Sequence, residues 1–455
     1  MRFRWGALAL GLPALVVGLI YLPVESGLPA FPGAEGFGTR TPGGRGGRVI
    51  EVTNLNDSGP GSLRDAIETP GRRIVVFRVA GTITLQQDIK VREPYLTILG
   101  QTAPRGGITL RADFENNPSG LMDIFAHDIV IRFLRFRSGS FDGENQGNPI
   151  TAYEDGAYNI VLDHNSFSWG VNENVTTYDY AHDITISWNI ISEGLNQAGH
   201  PEIEHSRGLF MSGEGFTRNA SAHHNLIAHN DQRNPEINIT GTADFVNNVV
   251  YNWGEVAGLA SDKNLGLPLN FVGNYYRAGH DSEGLYELEI YHRDDQCNRT
   301  LRLYVRGNIG PNRPNDALPQ DSVVEPDPCM LLLPVPHPAP AVTTYSAQRA
   351  YDEVLAKAGV VFPYRDAVDT RIVNDARNGT GRIIDDPYEV GGWPTLPAEA
   401  APADADHDGM PDAWETSRGL DPSVDDSASD RDGDGYSNIE EYANGLVAHL
   451  VPLPV

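Results

Sequence analysis

Residues 158–169 read YNIVLDHNSFSW and residues 182–193 read HDITISWNIISE. Each is a short alternating strand, then an asparagine, then more apolar residues. The phrase returns as ASAHHNLIAH at 220–229, ADFVNNVVYNW at 243–253, LNFVGNYYRAG at 269–279 and LRLYVRGNIGP at 301–311. Its asparagines are Asn165, Asn189, Asn225, Asn248, Asn274 and Asn308, spaced 24, 36, 23, 26 and 34 residues apart. YLTILGQT at 95–102 and DIVIRFLRFR at 128–137 follow the same strand pattern. Short strands at such intervals would suit a sandwich. A fixed asparagine within a repeated phrase suits a coiled parallel β-helix better. Coils then stack, and like side chains form ladders in which Asn bonds Asn one coil up. The longer spacings are coils carrying inserted loops, which gather on one face in such architectures, often the binding face.

The flanks fit this plan. In SGPGSLRDAIETPGRRIVVFRV at 58–79, Ser62 caps a short helix through Ile67, Pro70-Gly71 ends it, and a strand from Arg73 to Val79 follows. A small amphipathic helix ahead of the first strand would cover the open edge of the coil. After about residue 310 the pattern changes. Residues 311–343 are rich in proline, Ala347–Ala358 reads as a helix with Gly359 suited to its C-terminal cap, and 397–403 reads as a linker.

Gly 48 and Pro 32 in 455 residues favour turns over long helices. A formal charge of −27 argues against nucleic acid as a partner, since phosphate contacts need clustered Lys and Arg. Arg2 and Arg4 precede an apolar run from Trp5 to about Val24, so 1–30 reads as a secretory signal. The run is long for one, and an uncleaved membrane anchor stays open. Export implies an oxidising compartment, where Cys297 and Cys329 would form a disulfide.

The tail explains much of the charge. Residues 404–415 are DADHDGMPDAWE and 430–441 are DRDGDGYSNIEE. Both follow D-x-[DN]-x-[DN]-G-x5-E, a calcium-loop pattern. Asp404, Asp406, Asp408, the Met410 carbonyl, Asp412 and Glu415 take the ligand positions of the first. Asp430, Asp432, Asp434, the Tyr436 carbonyl, Asn438 and Glu441 take those of the second. Gly409 and Gly435 fall at the sharp turn. So many carboxylates repel unless a hard cation neutralises them, so Ca2+ is the expected cofactor. Solvated acidic turns are the alternative, and two full matches argue against it. The spacing resembles dockerin-like and thrombospondin-type-3-like repeats.

Five further phrases bear on chemistry: FPGAEGFG at 31, VTNLNDSGPGSLRDAI at 52, LDHNSFSWGVNEN at 162, HHNLIAHNDQRNP at 223 and NNVVYNW at 247. Together they resemble the pectate lyases of polysaccharide lyase family 1. AYDEVLAKAGVVFPYRDAVDTRIV at 350 and GGWP at 391 look like the C-terminal part of bacterial members. The resemblance implies a right-handed parallel β-helix that cleaves α-1,4-linked polygalacturonate by β-elimination. In that reaction a base takes the proton at C5 while cations neutralise the adjacent carboxylate. The family's base is an arginine, which Arg233 matches in Arg233-Asn234-Pro235. Arg207 falls where the family places a substrate-binding lysine and can grip a carboxylate bidentately. Without the resemblance, Arg233 would serve equally well as a salt bridge to a neighbouring coil.

The chain also departs from the family. Glu236 and Asn238 stand where basic residues are usual. Asn148, Asn172 and Thr176 stand at positions that hold acids around the catalytic calcium, leaving Glu173 as the acid there. Asn carbonyls bind calcium without adding charge, so cleft calcium would be weak, brought by substrate, or absent. His164, His205, His223, His224 and His229 read as buried, hydrogen-bonded residues, because adjacent His223 and His224 should point to opposite faces of a strand. Trp169, Tyr178, Trp188 and Trp253 could stack on sugar rings or serve as core and ladder residues.

The expectation is an all-β, right-handed parallel β-helix over 31–310, an extension over 311–396 packing on it, a linker at 397–403 and a small helical calcium segment over 404–447. The expected protein is a secreted, periplasmic or cell-surface monomer acting on an acidic plant or algal-type polysaccharide. A non-catalytic polysaccharide-binding β-helix and a pectin hydrolase are the alternatives. Hydrolysis needs two suitably spaced carboxylates, and no Asp pair at a strand end suggests them.

Overall fold

Strands of the repeat lie side by side in parallel register, coil upon coil. The computed structural model describes residues 27–450, except 114–119, 140–146, 213–215, 263–265 and 293–300. The N-terminal apolar run and Cys297 lie outside the described residues. Three parallel sheets of eleven, eight and eight strands form the walls of the β-helix. Each coil visits them in a fixed order. Tyr158–Asp163 lies in the first sheet, Ser166–Ser168 in the third and Glu173–Tyr178 in the second. The chain then returns to the first sheet at His182–Ser187, beside Tyr158–Asp163. Apolar side chains fill the interior in columns, as with Ile160, Ile184 and Ala220, all fully buried.

The asparagine ladder runs through the bend after the first sheet. Asn165 N donates to Asn189 Oδ1 at 2.8 Å, Asn189 N to Asn225 Oδ1 at 2.9 Å, and Asn225 N to Asn248 Oδ1 at 3.0 Å. Asn248 and Asn274 continue it to Asn308. Each ladder Nδ2 also donates to a strand carbonyl on an adjacent coil, as Asn225 does to Ile186. The residue before each asparagine is left-handed. His164, Trp188, His224 and Asn247 have φ between 53° and 56°, and Gly273 and Gly307 take over higher up the stack. A left-handed residue turns the strand sharply, and the asparagine satisfies the backbone groups that the turn exposes. The corner side chains stack in turn: His164 on Trp188, then Trp188 on His224 at 4.3 Å.

Helix α1 (Leu63–Glu68) is capped by Ser62, and its Leu63, Ala66 and Ile67 are buried against the first coil. It follows a strand, Arg48–Val52, that the sequence reading did not assign, and the next strand ends at Phe77, not Val79. Helix α2 (Ala347–Lys357) has its C-cap at Ala358, with Gly359 one residue beyond. A second helix of the extension, α3 (Ala367–Asn378), was not anticipated. Both pack on the third sheet, where Val354, Leu355, Ile372 and Val373 meet Leu226, Val249 and Tyr251. Ion pairs hold them there, the buried Arg137 Nη2 to Asp369 Oδ1 at 2.7 Å and the half-buried Arg371 Nη1 to Glu193 Oε1 at 2.6 Å. Cys329 is disulfide-bonded.

The segment 397–403 runs along the first coils, where Arg105 pairs with Glu399. Helices α4 (Asp412–Arg418) and α5 (Asn438–Leu446) follow the two acidic loops. Met410, Ile439, Tyr442 and Ala443 bury against Ile74, Val76 and Leu99 of the N-terminal coils. Arg45 to Glu440 at 2.9 Å and Arg78 to Asp404 at 3.2 Å fasten this contact.

Candidate functional site

A shallow groove crosses the second sheet. Strands Asn148–Tyr153, Glu173–Tyr178, Arg207–Met211 and Glu236–Ile237 are neighbours there, with Thr151, Thr176, Phe210 and Glu236 in register. Its cavity of about 290 Å³ is lined by Asn148, Asn172, Glu173, Thr176, Tyr178 and Phe210, among others. All four residues expected at the cleft from sequence therefore meet in one place, although the chain separates them by up to 28 residues.

Arg233 reaches this groove from the turn before Glu236. Its φ is +59°, a left-handed conformation uncommon outside glycine. Its guanidinium lies 4.0 Å over the Phe210 ring. Its Nε donates to Glu236 Oε2 at 2.8 Å, and its Nη1 donates to Glu173 Oε1. Burial pulls its pKa below the ordinary arginine range, while Glu236 opposes the shift. The salt bridge weighed as its structural role is thus present, and the same residue also borders the groove. Arg207 pairs with the exposed Glu202, Nη2 to Oε2 at 3.0 Å, and burial lowers its pKa too. Asn238 is buried, and its backbone N–H donates to Met211.

The groove residues are mutually satisfied. Asn148 Oδ1 accepts from the Glu173 N–H at 2.9 Å, and Thr176 Oγ1 donates to Glu173 Oε2 at 3.3 Å. Asn172 Oδ1 accepts from His205 Nε2 at 2.7 Å. The oxygens that calcium would need are already engaged, and Glu173 brings the groove's one carboxylate at the expected acid positions. This donor set does not fit a resident calcium ion.

The acidic loops do fit one. Asp404 Oδ1, Asp406 Oδ2, Asp408 Oδ2 and both carboxylate oxygens of Glu415 are buried without a hydrogen-bond donor, as is Glu441 Oε1. Asp430, Asp432, Asp434 and Glu441 bring one oxygen each within 4.8 Å of one another. Backbone amides fold the loops inward: Gly409 N donates to Asp404, and Gly435 N to Asp430. Burial and like charges push Asp408 and Glu415 up to about 7, the strain that a hard cation relieves. Asp412 and Asn438 each accept a backbone N–H, from Ala405 and Arg431. One ligand candidate escaped the sequence pattern. Asp426 clusters with Asp408 and Glu415 and also accepts from Asn438 Nδ2 at 3.2 Å, so it joins the two loops. It lies outside either twelve-residue phrase, and only the fold brings it in.

The histidines are buried, with one correction. His223 and His224 do not point to opposite faces: their Nδ1 atoms approach to 2.9 Å, because the left-handed His224 turns the chain at that point. His164 Nδ1 contacts Asp163 at 2.8 Å and His229 Nδ1 accepts from Asn252. Burial alone would raise the Asp163 pKa, but His164 and Arg132 overcome it and hold that carboxyl well below the usual range. His205 is driven down to about 3, by burial and by Arg207. Of the aromatic residues singled out for sugar stacking, Tyr178 borders the groove, whereas Trp169, Trp188 and Trp253 are buried.

Comparisons with known proteins bear on family and fold. The chain is 36% identical over 446 residues to a "Probable pectate lyase C" of Aspergillus flavus, covering 96% of this chain and 98% of that protein. It is 37% identical over 432 residues to the Aspergillus terreus protein of the same name, covering 93% and 95%. These relatives are fungal, whereas the C-terminal phrases had pointed to bacterial members. Among solved structures, Jun a 1, the major allergen from cedar pollen, superposes with a TM-score of 0.51 at 17% identity, covering 72% of this chain and 93% of that one. No family model matches the chain.

Proposed function

The chain belongs to the pectate lyase family, and from that premise we propose that it is a secreted polysaccharide lyase of family 1 that cleaves polygalacturonate-type chains by β-elimination at the groove. The carrying observation is that Arg233, the residue matching the family's base, borders a groove on an outer sheet with a second cation, Arg207, on the adjoining strand. In this reading Arg207 binds the uronate carboxylate, which acidifies the proton at C5. Arg233 takes that proton, the C4–O4 bond breaks, a C4=C5 double bond forms, and the departing oxygen acquires a proton from water. Tyr178 and Phe210 supply apolar surface to the sugar rings.

Arg233 can act as a base only once deprotonated, and guanidinium resists that strongly. Burial helps; Glu173 and Glu236 oppose it. Substrate that draws Glu173 away from Arg233 would release the base. Calcium has its best-fitting residues in the tail loops, where it would supply charge neutralisation and hold α4 and α5 in place. The groove gives no reason to assign it a resident ion.

A binding-only protein is favoured by one observation, the pairing of Arg233 with two carboxylates. One assay separates the readings. Mature protein with polygalacturonate and calcium should generate ultraviolet-absorbing unsaturated ends, and Arg233→Ala should lower the rate by about 10²–10⁴, the usual worth of a positioned base. New reducing ends without that absorbance would mean hydrolysis. Saturable binding with neither product would mean a lectin-like role.

A further inference from the structure

The two acidic loops are not equivalent. In the first, Asp404 Oδ1, Asp406 Oδ2, Asp408 Oδ2 and both carboxylate oxygens of Glu415 are buried and accept no hydrogen bond. Asp408 is 1% exposed and Glu415 is fully buried. A carboxylate buried with neither donor nor counter-charge is costly, so these oxygens are set for a cation. In the second loop Asp430, Asp432 and Asp434 are exposed and Glu441 is half-buried.

Asp426 deepens the difference. It lies just ahead of the second loop, yet it offers an oxygen within 4.8 Å of Asp408 and Glu415 of the first. The matching place ahead of the first loop holds Ala400, which has no side-chain ligand to give in return. Asn438, the ninth residue of the second loop, holds Asp426. Its Nδ2 donates to the Asp426 carbonyl at 3.0 Å and to Asp426 Oδ1 at 3.2 Å, while its own Oδ1 accepts the Arg431 N–H at the start of the second loop. Its backbone N–H donates to Ser429 O at 2.7 Å, and the next residue, Ile439, donates to Ser427 O. One amide side chain thus touches a ligand candidate of the first loop with one end and the frame of the second with the other. Asp412, at the same position of the first loop, accepts the Ala405 N–H in the same way, but an ionised carboxylate has no N–H to pass on.

We propose that Asp426 is a ligand of the calcium ion in the first loop, that this loop fills first, and that Asn438 couples the loops so that the first ion raises the affinity for the second. With the Met410 carbonyl and one Asp426 oxygen added to the unpartnered oxygens, the first set falls within the roughly six to eight that calcium takes. An ion there fixes the Asp426 carboxylate and, through it, the Asn438 amide. The second loop is then already shaped when its own ion arrives, and ordering done by one ligand need not be repeated for the next. The proposal rests on the reading of the tail loops as calcium sites, and not on the elimination reaction.

The test titrates calcium calorimetrically into chelator-stripped full-length protein. Expected are two unequal saturable steps. Glu441→Gln should remove the weaker step and keep the tighter one. Glu415→Gln should remove the tighter step and also weaken the remaining one by about tenfold, within the usual range of coupling between sites. Asp426→Ala should weaken the tighter step by about tenfold, since one carboxylate fewer then faces the ion. Asn438→Asp keeps the acceptor for Arg431 and loses the donor to Asp426, so adding Glu415→Gln in that background should no longer weaken the second loop. Far-ultraviolet circular dichroism of each variant confirms an intact β-helix. Two equal and independent steps overturn the proposal. So does a second loop that binds as tightly in Glu415→Gln as in the unaltered protein, unchanged binding in Asp426→Ala, or coupling that persists in Asn438→Asp. Absence of any saturable calcium binding would overturn the calcium reading of the tail along with it. None of these readouts depends on lyase activity, so the coupling and the proposed reaction can fail separately.

Discussion

Glu173→Gln tests whether the ion pair over the groove sets the basicity of Arg233. Glu173 contacts Nη1 of Arg233, whose side chain is 17% exposed. Two unit charges 4 Å apart attract by about 4 kcal/mol at an effective dielectric near 20. Partial solvent access to the groove reduces this, and about 2 kcal/mol is a fair working value. At about 1.36 kcal/mol per pH unit, losing Glu173 should lower the Arg233 pKa by roughly one to three units. The sign follows from charge: Glu173 favours the protonated guanidinium, and glutamine does not. The limb of the kcat/KM–pH profile that reports deprotonation of the free enzyme should move to lower pH by that amount, whatever happens to kcat. Glu236→Gln, which removes the second carboxylate at 2.8 Å, should move it the same way. Initial rates of unsaturated-end formation across the alkaline range measure the limb, and thermal melts confirm that both variants fold. A limb that stays in place in both variants would refute Arg233 as the titrating base.

Three other outcomes can be checked on the same protein. Asn225→Leu strips partners from the buried Asn189, Asn248 and Ile186 groups, and at about 1–3 kcal/mol for each group left unsatisfied it should cost on the order of 4 kcal/mol in denaturant unfolding. Burial and the neighbouring Asp88 push Asp123 up to about 7. Its native form therefore binds a proton that the unfolded chain releases near pH 4, so stability should fall as pH rises from about 4 to 7, by about 2 kcal/mol after discounting for partial exposure, and Asp123→Asn should flatten that slope. Chelation should open residues 404–441 to limited proteolysis before any other part of the chain and lower the melting temperature. Asp408→Asn should blunt the response to added calcium.

The coils were legible because each had to solve the same local problem. A bend that exposes backbone groups at one corner calls for Asn at one point of the phrase, and the interior calls for an apolar column, so both patterns surface in the linear order of Asn165, Asn189 and Asn225. The acidic loops were legible for the same reason, as their candidate ligands lie within twelve residues. What escaped depends on coils meeting after folding. Glu173 finds Arg233 across 60 residues, and no periodicity encodes that pair. Asp426 joins the first loop from a segment with no motif of its own. The pairing of His223 with His224 hangs on one left-handed residue, which an alternating strand pattern does not foretell. Helix α3 did carry a signal, Asp366 at its start and Gly379 at its end, but its short apolar stripe was absorbed into a longer phrase.

The closure of the tail onto the N-terminal coils bears on how the molecule is made. Ile74, Val76 and Leu99 belong to the first part of the chain to emerge from the ribosome, and Met410, Ile439 and Tyr442, which cover them, to nearly the last. The early coils must wait, greasy side outward, for the whole of the intervening chain. On the proposal that the acidic loops positioning the cover bind calcium, the cover closes fully only where that ion is supplied. Completion of the fold would then be linked to calcium, and a chain folding without the ion would lack its last seal.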